Sequence, residues 1–139
     1  MSLIHGSMGL IYFVHEWQPK FNESALLSDP EMLAVVTTIN QQIIGLAPVL
    51  NSPTLKGQAS ALSDDTNVPI ALMTKKHNGA TYVFTVNMRG DPTNGTITLQ
   101  DSEGEKTVEV IGEDRNLTSK DGVFKDRFSG WDVHLYRMK

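Results

Sequence analysis

The sequence predicts a mainly-β protein: an antiparallel β-sandwich of seven to eight strands, preceded by an N-terminal strand-like arm and one α-helix. Three observations predict it. From Thr54 onward apolar and polar residues alternate with a period of two, as in half-buried strands. Turn-forming clusters interrupt that alternation about every ten residues, the spacing of a sandwich. Before it lies one helix-period stripe, Met32, Val36, Ile39, Ile43, Leu46 and Leu50, at spacings of three and four.

The arm comes first. Leu10, Ile11, Tyr12, Phe13 and Val14 form an apolar run with little alternation, which suits a strand buried on both faces. Such a strand has no sheet to join here, so the arm is expected to pair with the sandwich or with a second copy. The helix follows. Ser28 and Glu31 have capping-box spacing around Pro30, and Pro48 closes the stripe, so the helix is expected over 30–47.

The strands then run in order. Residues 57–62 and 67–76 are expected strands, the second placing Val68, Ile70 and Leu72 on one face. Asn78-Gly79 is the strongest local signal, because both residues favour the positive φ of a type I′ hairpin turn. Residues 80–87 alternate, with Ala80, Tyr82, Phe84 and Val86 on one side. Tyr82 and Phe84 are expected to point inward. Residues 91–95 read as a turn, 96–100 and 107–111 as strands, and Asp121-Gly122 and Ser129-Gly130 separate the last three. The chain closes on Trp131, Val133, Leu135 and Tyr136, so its last strand is expected to be a central one.

Composition bounds the function. With 139 residues there is chain for one domain and a modest core. The net charge of −4 argues against nucleic acid and against an anionic membrane surface, both of which need clustered Lys and Arg. No run approaches the ~18 consecutive apolar residues of a membrane helix. Cysteine is absent, which removes disulfides, thiolate nucleophiles and Cys-ligated metal. The four histidines, His5, His15, His77 and His134, show no ligand spacing, and no cofactor or metal is expected. Asp64, Asp65 and Asn67 read as turn formers in preference to a Ca²⁺ loop. No compartment follows, and the N-terminal residues do not form a signal peptide. Met1 to Leu3 read as a leader on a piece excised from a longer protein.

The closing stretch carries a resemblance. Val108, Val110, Gly112, Glu113 and Arg115, then Phe124, Asp126 and Phe128, then Val133, His134, Tyr136 and Arg137 follow one another in a pattern similar to the C-terminal β-sandwich of (β/α)8-barrel glycoside hydrolases. The N-terminal third resembles the last β-α unit of such a barrel through GLIYFVHEW, Ile39-Asn40, Ile43, Leu46-Ala47-Pro48 and Leu50. The resemblance implies two parts, 1–53 from the barrel and 54–139 as the sandwich.

It also implies a non-catalytic accessory domain that braces the barrel and edges the carbohydrate cleft. The two reacting carboxylates of such enzymes stand ~5–9 Å apart at the C-terminal ends of barrel strands. They are expected upstream, so no catalytic residue is assigned in this chain. Glu16 and Trp17 fall where the eighth barrel strand would end, and Trp17 offers a face for a sugar ring. Trp131 is a further carbohydrate candidate, although its alternation with Val133 and Leu135 favours core packing. The implied partners are carbohydrate through the parent enzyme, the upstream barrel, and a second copy through the apolar arm. Such a parent is secreted or periplasmic by expectation. Two readings compete: a free-standing carbohydrate-binding module, and an immunoglobulin-like structural or adhesion domain.

Overall fold

The alternating half of the chain forms eight strands, seen here in a computed structural model that describes residues 1–139. They are β1 (Ala59–Ser63), β2 (Ile70–His77), β3 (Ala80–Asn87), β4 (Thr93–Leu99), β5 (Glu105–Val110), β6 (Arg115–Lys120), β7 (Val123–Phe128) and β8 (Val133–Met138). All pairings are antiparallel and join one eight-stranded sheet in the order β1-β4-β7-β6-β5-β8-β3-β2. The mainly-β expectation and the central place of the last strand both hold. β8 pairs with β3 from Val133 to Met138 and with β5 from Tyr136 to Met138.

The sheet folds over at one seam. β6 and β7 share a single register pair, Lys120↔Val123, across the Asp121-Gly122 turn. Three strands therefore lie on one side of the seam and five on the other. Ile97, Leu99, Phe124 and Phe128 from the first leaf pack against Val83, Val108, Val110, Tyr136 and Met138 from the second. The edge strands β1 and β2 approach without forming a ladder, which leaves the sheet nearly closed.

The Asn78-Gly79 turn is as expected, at φ 48 and 77, and sets His77 opposite Ala80. On β3 the inward expectation holds for Phe84 and only in part for Tyr82, and the opposite face is buried as well. Val83, on the face of Thr81, Thr85 and Asn87, belongs to the core cluster. Phe84 is buried on the opposite face, in register with Met73 and Leu135, and Tyr82 is only half-buried. Alternation marks two faces but does not say which is interior. Both faces are buried here: Ala80, Phe84 and Val86 on the apolar one, and Val83, Thr85 and Asn87 on the more polar one, where Thr85 and Asn87 are hydrogen-bonded.

β4 begins within the residues read as a turn, at Thr93, because Thr93 to Thr98 pair with β7. Gly95 permits this. A Cβ at that position would stand 2.6 Å from the end of Ile70 and 2.7 Å from the fully buried ring of Phe128. Gly95→Ala is expected to lower stability by about 1–3 kcal/mol by overpacking. Urea unfolding followed by tyrosine and tryptophan fluorescence checks this.

By contact the chain divides into two compact units, Met8–Pro48 and Met1–Ser7 with Val49–Lys139. Two helices lie largely in the smaller one, α1 (Ala25–Ser28) and α2 (Pro30–Leu50). The cap of α2 is Asp29 in place of the expected Ser28: its Oδ1 accepts the Met32 N–H at 2.9 Å. Ser28 is taken up by α1. Pro48 lies inside α2, which runs on to Leu50 past the expected stop at 47. Most of α2 is exposed, including Met32, Val35, Ile39 and Ile44.

By length and composition alone α2 is long and apolar enough to cross a membrane, which corrects the reading that no segment approaches this. Asn40, Gln41 and Gln42 break the apolar run. However, no charge follows Glu31 within the helix, so the average remains apolar.

The arm forms no strand over Leu10–Val14 and joins no ladder. Ile11 is fully exposed, and Phe13 is mostly so. Within its own unit the Tyr12 hydroxyl donates to Asn40 Oδ1 at 3.0 Å.

Candidate functional site

The arm's aromatic residues converge through a short loop. Glu16 and Asn22 exchange two backbone hydrogen bonds, of 3.0 and 2.9 Å, which close residues 16–22 into a tight return. The return brings the Trp17 and Phe21 rings to a 5.0 Å centroid separation. His15 stacks on Phe21 at 5.9 Å and 11°, and Phe13 lies 5.2 Å from His15. The result is a file of four rings, Phe13–His15–Phe21–Trp17, with Trp17 69 % and Phe21 51 % exposed. Exposed flat rings of this kind offer an apolar face to a ligand with an apolar face of its own. Glu16 stands at the neck of the loop, exposed, with its backbone engaged in the bridge. Phe21 is not marked by the alternation or by any motif of the sequence. The signal was its spacing of four from Trp17 across Pro19, which becomes a contact only once the Glu16–Asn22 bridge forms.

Trp131 lies elsewhere, in the larger unit, and corrects the expectation of core packing. It is 57 % exposed and sits before β8, which begins at Val133. Its φ is 63, in the left-handed region, so it leaves the alternation that seemed to align it with Leu135. Val133 is also exposed. The Trp131 N–H donates to the Arg89 carbonyl at 2.8 Å, and the indole Nε1 edge lies against Gly90.

The loops 87–91 and 129–132 are clasped by Asn87, whose side chain is buried. Its Nδ2 donates to the carbonyls of Asp91 and Ser129, both at 2.8 Å, and its Oδ1 accepts the Arg89 N–H at 2.9 Å.

The motif residues of the closing stretch meet in one polar cluster. Arg115 donates to Asp126 through both terminal nitrogens, at 2.9 and 2.7 Å, and through Nε to Glu113 Oε2 at 2.8 Å. The Tyr136 hydroxyl donates to Asp126 Oδ2 at 2.9 Å. His134 Nδ1 lies 2.5 Å from Glu113 Oε1, and Nε2 lies 3.1 Å from the Arg127 carbonyl. Arg137 pairs with Glu109 on the neighbouring strand.

Burial pushes the Asp126 carboxyl up. The hydrogen bonds from Arg115 and Tyr136 outweigh that and hold it below its ordinary range. Burial, then the Asp126 charge, push the Tyr136 phenol well above its ordinary range. All four carboxylate oxygens of Glu113 and Asp126 are engaged. The cluster ties β6, β7 and β8 together and presents no free acid or base for chemistry.

Asp65 Oδ1 accepts from the backbone and side chain of Asn67, and Asn94 donates to Asp64 Oδ2 at 3.2 Å, so this stretch serves as a turn. No three His, Asp or Glu side chains are grouped to hold a metal ion. A pocket of about 290 Å³ at one end of the sheet is lined by Gln58, Gln100 and Lys106 among others, with Asp101 as its one carboxylate.

Comparison with known proteins gives a likeness of fold. No family model matches the chain, and no curated protein matches it in sequence. Among solved structures, the crystal structure of an AmyP variant in complex with maltotriose, a glycoside hydrolase, matches with a TM-score of 0.57 at 7 % identity. The match covers 86 % of this chain and 24 % of that one. At this identity the likeness is one of fold, and the chain spans about a quarter of that protein's length.

Proposed function

We propose that this chain is the C-terminal accessory segment of a glycoside hydrolase, carrying the last β-α unit of a catalytic barrel in front of a bracing sandwich. The observation that carries the reading is the fold likeness over 86 % of the chain to part of a glycoside hydrolase. That share exceeds the larger unit, so it reaches into Met8–Pro48 as well. The exposed apolar surface there supports the same reading. Leu10 to Phe13 and the outer face of α2 are the surfaces a barrel strand and helix bury against their neighbours.

In this role the sandwich is not the catalyst; the reacting carboxylates belong to the upstream barrel. Trp17 and Phe21, with Glu16 beside them, edge the carbohydrate cleft at the strand's C-terminal end. The ligand class is a neutral oligosaccharide, in keeping with the maltotriose held by the structural neighbour. Detached from a barrel, the arm pairs with a second copy, and a concentration-dependent dimer in sedimentation velocity is the expected sign of it.

Reading the gene upstream of the Met8 codon tests the proposal. An open frame that continues into a (β/α)8 barrel with two strand-end carboxylates is expected. A stop codon or an unrelated domain overturns it. The ring file also favours a second reading, a free-standing carbohydrate-binding module. That reading requires the isolated chain to be retarded in polysaccharide affinity gels, with retardation lost in Trp17→Ala. Under the accessory reading, retardation is weak and Trp17→Ala abolishes what there is, because the file is only one edge of a cleft.

A further inference from the structure

We propose that the clasped loops carrying Trp131 form a second carbohydrate-contact surface, one that takes the apolar face of a single neutral pyranose ring. The proposal rests on the glycoside-hydrolase reading for its class of ligand, and on the larger unit alone for its geometry.

Trp131 occupies a left-handed backbone position, φ 63, that suits glycine or asparagine and penalises a bulky side chain. Burial does not compensate for it, since the residue is 57 % exposed. Backbone strain at an exposed aromatic residue persists only where the surroundings enforce it, and here they do. The Trp131 N–H is fixed to the Arg89 carbonyl. Asn87 clasps both loops from below through three hydrogen bonds. A Cβ on Gly130 would stand 2.0 Å from the Gly90 carbonyl oxygen, so the two loops touch backbone to backbone. The indole is thus a rigid platform with one edge supported by Gly90, so little ordering entropy is lost when a ligand stacks on it.

Size and charge decide the ligand. A tryptophan side chain contributes at most ~250 Å² of contact surface, whereas a protein partner needs ~800 Å² on each side. Trp131 with the neighbouring exposed Val133 falls far below that and matches one sugar ring. Exposed Arg89 and Asp91 flank the loop, and Asp132 follows Trp131 with its carboxylate held by the Ser129 N–H at 2.6 Å; charges of both signs supply donors and acceptors for hydroxyls.

The test uses the full 139-residue chain labelled with ¹⁵N. Its two indole N–H signals, from Trp17 and Trp131, are assigned with Trp17→Phe and Trp131→Asn. Neutral trisaccharides of α- and β-linked glucose, mannose, galactose and xylose are then titrated in. A saturable shift of the Trp131 signal is expected with at least one sugar. Trp131→Asn should remove sugar-induced shifts from the neighbouring Gly90 and Gly130 amides. It should also leave the melting temperature unchanged or raised, because asparagine accepts the left-handed backbone.

A Trp131 signal unmoved by every sugar overturns the proposal. So does a clear fall in melting temperature in Trp131→Asn, which would make the residue a structural lid. Shifts confined to Trp17 overturn this surface and leave the glycoside-hydrolase reading standing. That reading fails only on the upstream sequence.

Discussion

Asp126→Ala is expected to lower the unfolding free energy by about 2–4 kcal/mol, measured by chemical denaturation at pH 7. Removing one partner of a buried ion pair commonly costs about 3–5 kcal/mol, because the other charge is left without a counterpart. The lower range applies here for two reasons. Arg115 retains its bond to Glu113, and 33 % of its side chain remains in water. The Tyr136 hydroxyl has no such outlet: Tyr136 is 1 % exposed and loses a bond to a charged acceptor.

Acid separates the charge from the shape. The folded state holds the Asp126 carboxyl below its ordinary range, so its contribution is fully present above the unfolded value of about 3.9. It is lost as pH falls through the lower folded-state value. Asp126→Asn should therefore be less stable than the parent at pH 7, with the gap narrowing below about pH 4. A gap that stays constant between pH 7 and pH 3 would show that the carboxylate's charge does not matter.

The second large effect is expected at Asn87. Asn87→Asp changes almost no volume, yet it should cost about 3–5 kcal/mol, the range for a buried charge left uncompensated. The amide nitrogen now donates to two carbonyl oxygens, of Asp91 and Ser129. A carboxylate would turn an oxygen toward both. Asn87→Ala removes the repulsion but leaves those carbonyls and the Arg89 N–H unpaired, for about 2–4 kcal/mol. The aspartate variant is therefore expected to be the less stable of the two at pH 7, and to recover relative to alanine in acid as its carboxyl protonates. If aspartate is tolerated better than alanine at pH 7, water or a rearranged loop is supplying the missing donors.

The residues that set secondary structure were legible in the sequence. Asn78-Gly79 determines its hairpin, and β3 runs over the expected residues, 80–87, because local φ preference and alternation agree there. What alternation could not carry was side. On β3 both faces are buried, and the face that joins the core cluster through Val83 also holds Thr85 and Asn87, whose hydrogen bonds depend on residues far away in sequence. The cap of α2 passed from Ser28 to Asp29 because a preceding turn of helix consumed the serine.

The candidate site divides in the same way. Trp17 stands out at the end of an apolar run, but its partner Phe21 depends on a two-bond bridge that no local pattern announces. Trp131 looked like a core residue because one backbone angle, invisible in the sequence, decides its direction. In the sequence Glu113, Arg115, Asp126, His134 and Tyr136 stand in separate fragments of a pattern. That they form one cluster follows from the pairing of β5 with β6 and β8 and from the Lys120↔Val123 seam.

The position of β8 bears on how the protein is made. The strand is last among the eight in chain order, yet it lies between β3 and β5. Until Val133–Met138 have left the ribosome, the β2–β3 hairpin has no ladder to the other strands. Vectorial synthesis thus yields two unconnected pieces of sheet with open edges, which close only when the last strand is inserted between them. A chain lacking Val133–Met138 would display two bare strand edges, those of β3 and β5, to the quality-control machinery.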